Sequence, residues 1–78
     1  MTPTIGRIVH AVLRDNRGAV IIRPAIITRI WDGSSCVQAT IFPDANNDGL
    51  GQILSMSSLP CDPAGLLENS WHWPPKDY

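Results

Sequence analysis

Apolar residues in this chain come in short β-branched runs, each closed by a cluster of turn-forming residues. Residues 5–13 (Ile-Gly-Arg-Ile-Val-His-Ala-Val-Leu) predict a first strand that ends at Arg14-Asp15-Asn16-Arg17-Gly18. Residues 19–31 predict a second, longer strand. Pro24 lies inside it and donates no ladder hydrogen bond, so it marks an edge, a bulge or the true start of the strand. From Ala25 the alternation places Ala25, Ile27, Arg29 and Trp31 on one side and Ile26, Thr28 and Ile30 on the other. Asp32-Gly33-Ser34-Ser35 reads as a tight hairpin turn into a third strand over residues 36–42, which Pro43 closes.

The rest of the chain is less regular. A loop rich in Asp, Asn and Gly follows Pro43, and residues 53–59 form a weaker fourth strand because of their serines. Residues 64–68 are expected to make at most one helical turn, since Gly65 disfavours helix. Trp71-His72-Trp73 adds a short fifth strand before Pro74-Pro75. No long amphipathic helix and no internal repeat is visible. The expected fold is all-β, a small antiparallel SH3-like or related barrel of about five strands in one domain spanning residues 1–78.

Length changes this picture in one respect. Seventy-eight residues give a thin core, and the run at 19–31 is hard to bury within one small protomer, so a homo-oligomer is expected. The net charge of −1 argues against a nucleic acid polymer as partner. Charge is nonetheless uneven: residues 1–31 hold Arg7, Arg14, Arg17, Arg23 and Arg29 against Asp15 alone, and the acids dominate afterwards. Cross-fold or cross-dimer pairing of these charges is the plain reading; phosphate or carboxylate recognition by Arg is the sharper one. Cys36 and Cys61 show no CxxC spacing, and with no secretory leader visible they are expected to be reduced thiols. No apolar run reaches the roughly 18 residues of a membrane span.

Four segments together, Ile5-Gly6-Arg7-Ile8-Val9-His10, Arg23-Pro24-Ala25-Ile26-Ile27 with Arg29-Ile30-Trp31, Asn47-Asp48-Gly49 and Trp71-His72-Trp73-Pro74, resemble a group of small phage and prophage proteins. The resemblance touches most of the chain and carries no chemistry. It implies a setting, a virus-encoded protein in the host bacterial cytoplasm. The chain departs from the pattern by a longer segment around residues 14–22. Small phage proteins include virion or assembly modules and counter-defence factors, among them oligomeric sponges for nucleotide immune signals. That last comparison is one of setting and size, and fold alone does not determine function.

The residues offer no recognisable catalytic constellation, and no cofactor is expected. His10, His72 and the two cysteines lack zinc-ligand spacing. The acidic loop at 44–48 lacks the terminal glutamate of a calcium loop. The remaining chemistry is that of a binding protein. A nucleotide asks for an aromatic face, for amide or carboxylate groups at the ribose, and for Arg at the phosphate. Trp71 and Trp73 with His72, Asn47 with Asp48, and Arg7, Arg23 and Arg29 are the candidates, with the pocket between protomers. Each also has a structural reading: lid-like packing for Trp71 and Trp73, a turn for Asn47–Asp48, edge cover for Arg23, and a core or rim plug for Trp31. The other function class is a protein-binding adaptor or virion module that uses the Trp-His-Trp-Pro-Pro end as its contact surface.

Overall fold

The computed structural model describes residues 2–44 and 53–75. It is all-β: β1 (Ile8–Arg14), β2 (Val20–Ile30), β3 (Val37–Ile41), β4 (Leu54–Leu59) and β5 (Ser70–His72). They form one antiparallel sheet in the order β4-β3-β2-β1-β5, curled into a half-barrel. The five expected strands are all present. Beyond β4 the chain turns back toward the opposite edge: Cys61 bridges Trp71 in parallel, Trp71 N–H donates to Pro60 O at 2.9 Å, and Asp62 N–H donates to Trp71 O at 2.8 Å. This contact brings the two edges of the sheet together at one end.

The β1–β2 hairpin closes over a short connection, residues 15–19, and much of the segment around 14–22 lies within the strands themselves. Asp15 is the reason, because its carboxylate accepts the amides of Arg17 and Ala19 at 2.9 Å while Gly18 takes a φ of 84°. Pro24 sits inside β2 opposite His10, and its carbonyl accepts Phe42 N–H just past the end of β3. Its missing donor therefore faces the point where the β2–β3 ladder stops.

Inward positions are Val9, Ala11 and Leu13 on β1, Ala25 and Ile27 on β2, and Val37, Ala39 and Ile41 on β3; Leu59 and Trp71 complete the core. Each aliphatic side chain buried here contributes on the order of 1.5–3 kcal/mol. Three of these positions are alanine, and Ala11 is the direct cross-strand partner of Trp71, so the small side chains leave room for the indole.

One expectation is corrected. The register of β2 against β3 shifts between Ile27 and Arg29, so Thr28 is an extra residue in a bulge. Strict alternation placed Arg29 beside Ala25 and Ile27; the bulge turns it to the outward side, opposite Gln38. Thr28 Oγ1 donates to Gln38 O at 3.2 Å across the bulge. Residues 64–68, expected to make at most one helical turn, form turns and no helix. The Asp62 carboxylate accepts the amides of Ala64, Leu66 and Leu67, and Gly65 adopts a φ of 69°, which ends any helical path.

Candidate ligand-binding site

Antiparallel pairing decides which sequence candidates meet. Ile8 opposite Ile26 puts the start of β1 beside the end of β2, and His10 opposite His72 brings the residues after β5 to the same end. Arg7 with Trp73 and Arg29 with Trp31 thus lie at one end of the half-barrel, the first pair on the inner side of the sheet and the second on the outer side. Arg7 is fixed by its own backbone, since Ile27 N–H donates to Arg7 O at 3.0 Å and Gly6 N–H donates to Ile27 O at 2.8 Å. Its guanidinium lies 5.4 Å from the centre of the Trp73 ring. Arg29 stands over Trp31 at the same distance, 5.4 Å. Both are within cation–π range, and Arg7 and Arg29 are exposed residues.

The two C-terminal tryptophans divide their work. Trp71 is in the core, 1% exposed, with its indole Nε1–H donating to Ser35 O at 2.8 Å. That bond ties β5 to the β2–β3 turn and leaves Trp71 no face for a ligand. Trp73 packs edge-on against Trp71 at 5.3 Å and is only half-buried, at the mouth of the half-barrel. Trp31, expected as a core or rim plug, is half-buried beneath Arg29 and outside the core cluster, whose indole is Trp71.

Four candidate residues lie elsewhere or outside the described residues. Arg23 is opposite Ala11, six residues from Arg29 along β2 and so roughly 20 Å away at strand rise; its Nη1 donates to Ile22 O at 2.9 Å. His72 alternates to the outward side, away from Trp71 and Trp73, and is 8% exposed. Asn47 and Asp48 fall outside the described residues.

The surroundings of His72 form a second cluster that sequence reading missed. Residues 62–69 pack back over this part of the outward face: Asn69 N–H donates to Val12 O at 2.8 Å, Glu68 pairs with Arg14 Nε at 2.6 Å, and Gly65 lies against the imidazole. His10 meets His72 edge-on at 5.5 Å. His72 Nδ1 is buried with no hydrogen-bond partner. Burial, and then the neighbouring His72, lower the pKa of His10. Asp62 is held below the usual carboxylate value, first by the Leu67 amide and then by that of Leu66. Burial, followed by the Asp62 charge, raises the Cys61 thiol. Cys36 and Cys61 are both free. Asp62 before Pro63-Ala64-Gly65 is a turn signal readable in the sequence. The His10–His72 meeting carries no such signal, because it depends on β1–β5 register.

Among the described residues no group of three His, Cys, Asp or Glu side chains could hold a metal ion, and no helix is long and apolar enough to cross a membrane. The described surface encloses no ligand-sized cavity. No family model, curated protein or solved structure matches the chain.

Proposed function

We propose that this chain is a non-catalytic binding protein that sequesters a small anionic ligand of nucleotide type. The observation that carries the reading is the pair of exposed arginine–tryptophan stacks, Arg7–Trp73 and Arg29–Trp31, at one end of the half-barrel. Each stack sets a guanidinium for a phosphate beside an aromatic surface for a base. The described residues enclose no cavity, so the ligand is held against this end between copies of a homo-oligomer. In the phage setting implied by the sequence resemblance, such a protein acts in the host cytoplasm as a counter-defence sponge that removes a nucleotide immune signal.

Calorimetry with linear and cyclic adenine-containing nucleotides tests the reading. Binding tighter than about 100 μM, with tryptophan quenching and release of unaltered nucleotide on heating, is expected. Absence of binding across the panel sinks the proposal, and a chemically altered nucleotide replaces it with an enzyme.

The alternative class, a protein-binding adaptor or virion module, is favoured by a different observation. Trp73 and Pro74 are half-buried at the mouth and Pro75 is exposed, so an aromatic-proline surface is presented beside the core. A folded protein that ignores every nucleotide and loses a protein partner on Trp73→Ala would establish that reading.

A further inference from the structure

The outward side of the sheet carries an apolar band. By register its members are Ile8 on β1, Ile22, Pro24 and Ile26 on β2, Phe42 just past β3 and Ile53 just before β4. Ile8 and Ile26 are direct cross-strand partners, and Phe42 is hydrogen-bonded to Pro24. Ile8 is 60% exposed, Ile53 62%, and Ile22, Ile26 and Phe42 between 36% and 43%. Val20 continues the band toward the hairpin tip.

We infer that this face is a twofold interface with a second copy of the chain. Area supports it. At about 25 cal/mol per Å² and roughly 1.5–3 kcal/mol per buried side chain, each of these residues carries on the order of 100 Å². Half exposed, together with Pro24, they supply on the order of 300 Å² of apolar surface. A stable interface removes about 800 Å² from each partner, a little over half of it apolar. Outward Gln38, Thr40 and Ser55 lie beside the band to provide the polar remainder.

Charge selects the occupant. Between Arg14 at one end and Arg29 at the other, the outward described positions of β1, β2 and β3 carry no Lys, Arg, Asp or Glu. A face of this kind offers nothing to steer a charged partner, and it can meet its own copy without placing like charges together. Arg29 and Trp31 stand at the end of the same face, so the second copy borders that stack and adds a wall to it. This last point rests on the ligand reading above; the interface itself does not.

The test is sedimentation velocity of the full chain without ligand, from about 1 to 100 μM. The wild type is expected to dimerise. Ile26→Glu is expected to raise the dissociation constant at least ~100-fold while leaving the β-type circular dichroism unchanged. Ile8→Lys, on the neighbouring strand, is read in parallel should Ile26→Glu unfold. Leu66→Glu, an exposed apolar site on the 62–69 segment, is expected to dimerise like the wild type. A strictly monomeric wild type, a folded Ile26→Glu or Ile8→Lys that dimerises as well as the wild type, or equal dissociation by Leu66→Glu would overturn the inference. A dimer that binds no nucleotide leaves the interface standing and removes the ligand reading; nucleotide binding by a monomer removes the interface and the pocket between copies and leaves only nucleotide capture standing.

Discussion

At the residue scale the most constrained point is His72. Its ring is almost fully buried, Nδ1 has no partner, and it lies between His10 and Gly65. A Cβ on Gly65 would sit 3.1 Å from His72 Cε1, on a backbone with φ of 69°. Gly65→Ala therefore combines a left-handed conformation with a contact against a side chain that has little room to move. A loss of about 1–2 kcal/mol is expected from the backbone alone, read as a lower urea midpoint with unchanged slope. His10 gives a pH signature. Its folded pKa is lowered, so the unfolded chain binds the proton more readily, and stability falls as pH drops through about 6.5 toward the folded value. Melting between pH 7.5 and 5.5 should show that fall, and His10→Gln should reduce it. An unchanged slope in His10→Gln would assign the effect elsewhere. The tryptophans separate in the same way: Trp71→Ala should cost about 3–5 kcal/mol because it empties the core, while Trp73→Ala leaves the fold standing.

At the scale of elements, the 62–69 segment is a strap held at few points. The Asp62 carboxylate accepts three of its amides, and the Arg14–Glu68 pair is half-exposed on both sides. An exposed ion pair contributes roughly 0–1 kcal/mol, so the carboxylate turn is the stronger fastening. Asp62→Ala should speed amide exchange at Leu66 and Leu67 while the central strands stay protected; unchanged exchange there would show that packing on His72 holds the strap instead. Asp62 also gives a second acid step. Its pKa is lowered, so its contribution is present above the ordinary carboxylate value and lost as pH falls below it.

The strands were legible because β-branched runs and turn residues are local signals, and all five appear where the pattern placed them. The bulge was not, because nothing in Ile27-Thr28-Arg29 distinguishes an extra residue from regular alternation. That single residue moved Arg29 to the other face. The gathering of Arg7, Arg29 and Trp73 at one end, and of His10 with His72, follows from pairing between distant strands, which composition and spacing do not encode. Arg23 shows the same limit from the other side: it resembles its neighbours in sequence and lies well away from them in space.

For the whole molecule, the consequence of a thin core is that stability and assembly become one quantity. Among the described residues the core cluster holds ten buried residues, three of them alanine, while Ile8, Ile22, Ile26, Phe42 and Ile53 remain exposed on the outward side. If that face is covered by a second copy, folding is driven partly by association, and the melting temperature must depend on protein concentration. Each tenfold increase adds about 1.4 kcal/mol per dimer, or roughly 0.7 per protomer, which for a domain of this size is a rise of roughly 3–5 °C. Ile26→Glu should melt lower and at one temperature regardless of concentration. Ligand adds to this in a way that separates the arginines. Arg7→Ala and Arg29→Ala should weaken nucleotide binding by at least ~1.5 kcal/mol, whereas Arg23→Ala, whose guanidinium folds onto Ile22 O, should leave it unchanged. Melting curves at several concentrations, with and without nucleotide, read both effects at once. A wild-type midpoint independent of concentration would mean that the exposed band is stable in water by itself, and equal losses from Arg23→Ala and Arg29→Ala would mean that the charge of the first half, not the end of the half-barrel, attracts the ligand.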